Sequence, residues 1–299
     1  MDISEIKGLR SEWETRDVRI SPLTGGITNI LYLVEDSGEY YKVRIPGEKT
    51  NTFLNRDGEI YNVKALETTG VVPGVVDYKE DSKISIFRFI PGRTGNKEAF
   101  KDPRAREDTV ASIKQIHESN ITLCTKFDVF AEIRRFLDLS KTHDDEILRD
   151  YPINRLVERT KRLEEEIAKD QVKFVACHND LLSENIIFTD HKVYIIDWEY
   201  GGMNDPCFDI ADFIVELDPV LNPNEEEHIL NLYFEKGKER DRRRVDFYKF
   251  LCDFCWSLWA VTQYHVSLLD FDFDTYSRGR FNRTLRYEKM IEETYTSVF

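Results

Sequence analysis

Residues 178–185, which read HNDLLSEN, constrain this chain more than any other stretch of its 299 residues. Strand-like runs flank them. After the run at 186–188, a second run at 193–197 ends on Asp197, and Glu199 follows two residues later. Loops between short strands commonly present catalytic groups to a ligand. The pattern therefore predicts an island of short strands whose loops carry a reactive site.

The side chains of this segment offer the groups that phosphoryl transfer needs: a carboxylate near the attacking hydroxyl, oxygen ligands for Mg²⁺, and a hold on the phosphates. Asp180 can accept or orient a hydroxyl proton, and Asn185 and Asp197 offer the oxygen ligands that Mg²⁺ prefers. Each residue alone is equally typical of a turn. Their order along the chain favours catalysis, so we predict all three as catalytic residues, with Asn185 and Asp197 as metal ligands.

The order of the remaining patterns predicts an α+β fold with two lobes. Strand signals at 29–34, 40–45 and 84–90 surround a helix-like segment at 55–67. After a turn-rich stretch, helical patterns dominate at 103–118, 129–139, 154–168 and 225–234. We therefore expect a small β-rich lobe at 1–91 and a larger, mainly helical lobe at 92–299.

The charge and the cysteine content limit which binding partners and which cellular compartment we expect. The 56 acidic residues outnumber the 42 Lys and Arg residues, and the net charge of −14 repels nucleic acid and anionic bilayers. The N-terminus lacks the basic start and apolar stretch of a signal peptide. Five cysteines with a single CxxC pair are typical of free thiols in a reducing compartment. We expect a cytoplasmic protein without membrane insertion and without nucleic acid as a partner.

The set formed by Asp180, Asn185 and Asp197 resembles the catalytic loop and metal-binding aspartate of the protein-kinase-like fold. The triplets HND and DWE stand where protein kinases carry HRD and DFG, and they are similar to those of aminoglycoside phosphotransferases and choline/ethanolamine kinases. The resemblance covers roughly residues 22–287 and favours the choline kinases. It implies a two-lobed kinase-like fold with nucleotide binding in the first lobe, catalysis and substrate binding in the second, ATP and Mg²⁺ as cofactors, and a homodimer.

The resemblance also implies a phosphate-binding loop in the first lobe. Gly25 and Gly26, in the segment TGGITN that ends at Asn29, would let backbone amides approach the phosphates of ATP. A Gly-Gly pair by itself is more typical of a hairpin turn. We count all three residues as nucleotide-binding.

Three further nucleotide-binding residues follow from the same resemblance. Arg44 stands where related kinases have a basic residue that pairs with phosphate, and Glu59 is its partner for an ion pair. Outside this context both would be ordinary surface charges. Phe89 lies in the stretch 87–90, which resembles the hinge strand whose backbone meets adenine.

Two tryptophans three residues apart, Trp256 and Trp259, share one face of a predicted helix. A quaternary ammonium cannot donate a hydrogen bond, so aromatic faces and a nearby carboxylate hold it best. Two such rings are also typical of an ordinary core helix. The segment resembles the choline kinase helix with the same spacing, which favours a substrate-binding role.

The resemblance places Tyr276 and Glu216 in the choline pocket, with Glu216 facing the ammonium, and we count Glu199 and Asp180 as substrate-binding too. A further family tyrosine has no counterpart, because residues 218–222 are not aromatic. Choline is therefore the first expected acceptor, with ethanolamine and then aminoglycosides as alternatives. A kinase-like binding module without activity is disfavoured, because such proteins typically lose the catalytic base or a metal ligand, and this chain retains both.

Overall fold

The computed structural model describes residues 3–23, 29–47, 54–141, 146–234, 239–267 and 271–299. Five antiparallel strands form the N-terminal sheet: β1 (Arg19–Leu23), β2 (Asn29–Asp36), β3 (Glu39–Pro46), β4 (Val75–Lys79) and β5 (Ile84–Arg88). Their order across the sheet is β1-β2-β3-β5-β4. Within these ranges, three helices accompany the sheet: α1 (Ile3–Lys7), α2 (Ser11–Thr15) and α3 (Arg56–Leu66), which connects β3 to β4.

The central strand β3 separates two environments because successive side chains of a strand point to opposite faces. Tyr41 and Val43 are buried in a small core with Trp13 of α2. Lys42 and Arg44 point to the other face, where they line a cavity. The sheet therefore turns an apolar face to α1 and α2 and a charged face to the rest of the molecule.

The described residues after β5 form eight further helices: α4 (Pro103–His117), α5 (Val129–Lys141), α6 (Glu146–Arg149), α7 (Ile153–Ala168), α8 (Pro206–Glu216), α9 (Pro223–Tyr233), α10 (Glu239–Val266) and α11 (Phe273–Thr294). Helix α10 packs against α5, α8 and α11. Its side chains are buried without a break from 247 to 262, which explains why apolar residues lie on all sides of this stretch rather than on one stripe. Among the described helices, none has the combined length and apolar character that crossing a membrane requires.

Three of these helices begin with the same local signal, an Asp or Asn followed by proline. The side chains of Asp102, Asp205 and Asn222 each accept a backbone N–H from the first turn of α4, α8 and α9. Proline at the first helical position has no N–H, and none is needed there. The dipeptides therefore fix where these helices start.

The predicted island of short strands is present, but it is divided between two small sheets. Strand β8 (Ile186–Phe188) pairs with β9 (Val193–Ile195) and with β6 (Arg93–Thr94). Strand β7 (Val175–Cys177) pairs instead with β10 (Gly202–Asn204). The segment 178–185 thus carries the chain from one sheet to the other, and its residues lie at the junction of both. The α+β fold class is confirmed.

The division of the molecule at residue 91 stays a prediction, and the packing adds a detail to it. Ile60 and Val63 of α3, together with Val72, belong to the large core of the helical part. The side chain of Asn62 on the same helix donates to the Gly201 carbonyl at 3.0 Å. Helix α3 therefore precedes residue 91 in sequence but packs with the helical part.

Candidate active site

Two adjoining cavities lie between the charged face of the sheet and the helical part. The inner one, of about 70 Å³, has mainly apolar walls: Val63, Val72, Pro73, Phe87, Ile90 and Ile187. The outer one, of about 340 Å³, holds acidic and aromatic side chains. Lys42 and Asp197 line both cavities, which places them where the two meet.

Helix α8 stabilises the segment 178–185 through hydrogen bonds to a buried carboxylate. The carboxylate of Asp209 accepts the backbone N–H groups of His178 and Asn179, each at 2.7 Å, and the ring of His117 lies 3.0 Å from it. Asn179 has a φ of +68°, a region that non-glycine residues rarely adopt. The buried carboxylate therefore stabilises a loop conformation that would otherwise be disfavoured.

A second carboxylate of α8, that of Asp212, connects this loop to α10. One of its oxygens accepts the backbone N–H of Leu181, and the other accepts the indole N–H of Trp256 at 3.3 Å. A single buried side chain thereby sets the spacing between the loop and the first predicted tryptophan.

Asp180 lines the outer cavity. Its backbone N–H donates to Nδ1 of His178 at 3.2 Å, so Nε2 of that ring carries the proton and donates to the Ile196 carbonyl at 2.9 Å. Burial lowers the pKa of His178 and keeps the ring neutral. Burial raises the pKa of Asp180 well above its ordinary value, and the carboxylates of Asp212 and Glu199 add to this rise. A carboxylate with a raised pKa is a stronger proton acceptor.

Asn185 and Asp197, the predicted metal ligands, line the same cavity as Asp180. The amide nitrogen of Asn185 donates to the Asp180 carbonyl at 2.9 Å, which leaves the amide oxygen for another partner. Burial opposes a charge on Asp197, but Lys42 and Arg44 hold the pKa of its carboxyl below the ordinary value. An ionised carboxylate and an amide oxygen are ligands that Mg²⁺ takes, so this donor set fits the ion.

The ion pair predicted between Arg44 and Glu59 is present. The two terminal nitrogens of Arg44 lie 2.6 and 2.7 Å from the two oxygens of Glu59. The same nitrogens also reach Asp197 and the hydroxyl of Ser85, each at 3.3 Å. Arg44, only 1% exposed, therefore joins the sheet to α3 and to the loop that follows β9.

Arg56 carries a second buried guanidinium group and was not predicted as a site residue from the sequence. It donates to Glu59 at 3.2 Å, to Glu199 at 3.0 Å and to Asn29 at 2.9 Å. Burial and the neighbouring Asp197 raise the pKa of Glu199 to about 7. The Arg56 guanidinium thus holds three predicted site residues: Asn29 at the start of β2, Glu59 on α3 and Glu199 in the outer cavity.

The remaining predicted nucleotide-binding residues have different outcomes. Phe89 lines both cavities, and its backbone N–H donates to the Tyr40 carbonyl at 2.9 Å. Gly25 and Gly26 lie outside the described residues.

Four aromatic rings line one side of the outer cavity: Tyr200, Trp256, Trp259 and Tyr276, here called the aromatic wall. The Trp256 ring centre lies 5.0 Å from that of Tyr200 and 6.2 Å from that of Trp259. Trp259 and Tyr276 are 6.1 Å apart. Tyr200, which directly follows Glu199, was not predicted as a site residue. The structure thus brings the predicted aromatic residues to the cavity that also contains Asp180.

Among the predicted substrate-binding residues, Glu216 lines neither cavity, and the predicted nucleotide-binding residue Asn29 lines neither as well. Glu216 is buried at the end of α8 and forms an ion pair with Arg280. Arg280 also pairs with Asp253 at 3.0 Å and donates to the Tyr276 hydroxyl at 2.6 Å. Glu216 therefore acts on the aromatic wall through Arg280, which fixes the ring of Tyr276.

Comparison with known proteins places this geometry in a family. A family model described as choline/ethanolamine kinase matches residues 20–285. Ethanolamine kinase 2 from Homo sapiens is 30% identical over 93% of this chain and 78% of its own length.

Solved structures agree. A choline/ethanolamine kinase family protein from Mesorhizobium loti has a TM-score of 0.83 and 28% identity, covering 97% of this chain and 95% of its own. Choline kinase LicA from Streptococcus pneumoniae has a TM-score of 0.81 and 27% identity, covering 96% and 98%. LicA has also been solved in complex with AMP, with a TM-score of 0.80, 27% identity and the same coverage. These matches confirm the two-lobed kinase-like fold and the predicted enzyme class, a phosphotransferase with an alcohol group as acceptor. The chain belongs to the choline/ethanolamine kinase family.

Proposed function

We propose that this enzyme transfers the γ-phosphate of ATP to the hydroxyl of choline and releases phosphocholine. The supporting observation is that the aromatic wall and Asp180 line one cavity. A trimethylammonium group offers no N–H, so its binding depends on ring faces and on nearby negative charge. Asp180, Asp197 and Glu199 supply carboxylates in the same cavity.

We assign the residues as follows. The inner cavity takes adenine, with Phe89 at its border and Arg44 and Glu59 beside it. Gly25, Gly26 and Asn29 complete the nucleotide site. Asn185 and Asp197 hold Mg²⁺, which would neutralise charge on the phosphates. Asp180 orients the hydroxyl of choline and accepts its proton, a role that its raised pKa favours.

Ethanolamine is the second candidate acceptor. Human ethanolamine kinase 2 is among the similar proteins, at 30% identity. A primary ammonium prefers hydrogen-bond acceptors to ring faces, and the acidic side chains of the outer cavity would serve it too. Aminoglycosides come after ethanolamine, because a ligand with several ammonium groups would need more carboxylates than aromatic rings.

Release of ADP, measured with choline, ethanolamine, an aminoglycoside and thiamine in turn, tests the proposal. We expect the highest kcat/KM with choline. A higher kcat/KM with ethanolamine would replace choline as the substrate, and turnover with neither would contradict the assigned acceptor class.

Replacing Trp259 with Ala should raise the KM for choline by about tenfold or more, because a desolvated cation–π contact contributes about 2 kcal/mol. The KM for ATP should stay unchanged, and Trp259→Phe should retain part of the affinity. Tyr264→Ala is the matched control, because Tyr264 lies on the same helix and is exposed. A KM for choline that does not change in Trp259→Ala would leave this tryptophan with a packing role only.

Two further proposals concern the state of the enzyme. We propose a cytoplasmic location, which is supported by five cysteines that form no disulfide. We also propose a homodimer, which a measurement of mass in solution tests. A monomeric mass at the working concentration would contradict it.

A further inference from the structure

Lys42 occupies an unusual position for a lysine. It lies on the central strand β3 between the buried residues Tyr41 and Val43, so its own side chain points to the opposite face. That face borders the inner and the outer cavity, and Lys42 lines both. Asp197 is the other charged residue that lines both. The ammonium group is therefore directed to the junction between the proposed adenine and acceptor sites.

Arg44, two residues further along the same strand face, has no terminal donor left for a phosphate. A guanidinium carries four terminal N–H groups and one at Nε. The four terminal groups are taken by the two oxygens of Glu59, by Asp197 and by Ser85. Nε is buried and reaches no acceptor on the described residues. A phosphate could bind Arg44 only in exchange for one of these bonds.

Lys42 is the opposite case. Within the described ranges, no hydrogen bond or ion pair reaches its ammonium group, and Nζ lies 5.2 Å from the centre of the Phe87 ring. An ammonium has three N–H donors. Burial lowers the pKa of Lys42, although the charge of Asp197 opposes this effect. A cation whose three donors are not engaged by any described residue, at the junction of two cavities, is suited to an anionic ligand that spans both.

We propose that Lys42 binds the β- and γ-phosphates of the nucleotide, with Nζ donating to their non-bridging oxygens beside Asp197. The inference rests on the proposed use of ATP. In this arrangement Arg44 holds α3 and the loop at Asp197 in place, while Lys42 makes the direct contact with phosphate. Lys42 and Arg44, which share one face of β3, thus have different roles.

Calorimetric binding of adenosine, AMP and ATP, without an acceptor, tests this assignment independently of turnover. In Lys42→Met the Kd for ATP should rise at least about tenfold, because a charge-assisted hydrogen bond is lost. The Kd for adenosine should stay within about twofold, since a neutral nucleoside offers no phosphate to this cation. AMP should lose less affinity than ATP. Lys42→Arg should keep most of the affinity for ATP, and Lys64→Met, an exposed lysine on α3, is the control.

An unchanged Kd for ATP in Lys42→Met would overturn the proposal. An equal loss for adenosine and ATP would overturn it as well, because Lys42 would then contact the base or shape its pocket. An equal loss for AMP and ATP would place the contact at the α-phosphate instead. Failure of the unaltered enzyme to bind ATP would count against the proposed use of ATP itself, whereas lack of turnover with choline would leave the binding result intact.

Discussion

Asp180→Asn should lower kcat by about 10²-fold or more, the range expected when a positioned proton acceptor is lost. The amide has the same shape, so the backbone bonds from residue 180 to His178 and Asn185 should persist. The KM for ATP should therefore change little. Release of ADP at saturating choline gives kcat, and a titration of ATP gives its KM.

Asp190→Asn is the control for this experiment, because Asp190 is an exposed carboxylate close in sequence to the same segment. Its kcat should equal that of the unaltered enzyme. Undiminished turnover in Asp180→Asn would remove the assigned role of Asp180, whichever acceptor is used.

Asp209→Asn should destabilise the protein by about 3 kcal/mol or more, as expected when a buried, fully bonded carboxylate is lost. The amide can accept only one of the two backbone N–H groups of His178 and Asn179, and its own NH₂ group would face the other donor. His117 would also lose its charged partner. Urea unfolding measures the change, and kcat should fall with it because the loop at 178–185 loses its support.

Asp108→Asn, on the exposed side of α4, is the matched control and should unfold at the same urea concentration as the unaltered protein. A stability of Asp209→Asn within about 0.5 kcal/mol of the unaltered protein, the usual spread for surface substitutions, would contradict the anchoring role.

Elements with a clear periodicity could be predicted from the sequence. The strand expected at 29–34 is β2 (Asn29–Asp36), and the helix expected at 103–118 is α4 (Pro103–His117). Pairing between short strands could not be predicted, because it depends on contacts far apart in sequence. For this reason the division of the short strands between two sheets emerges only from the structure.

The site residues, too, include some that could be predicted from the sequence and some that could not. A shared site is indicated by the order along the chain of Asp180, Asn185 and Asp197, and these residues line one cavity. Lys42 and Arg56 carry no such signal, because a charged residue in a strand or at a helix start is usually exposed. The full burial of Arg56 and the partial burial of Lys42 depend on neighbours that are distant in the chain, as the bond between Arg56 and Glu199 illustrates.

The two buried guanidinium groups of Arg44 and Arg56 have a consequence for how α3 can move. An outward swing of this helix would separate Arg44 from Glu59 and Arg56 from Glu199, leaving buried charges without partners. Breaking one buried pair costs about 3–5 kcal/mol. We therefore expect helix α3 to be a fixed part of the cleft rather than a switch.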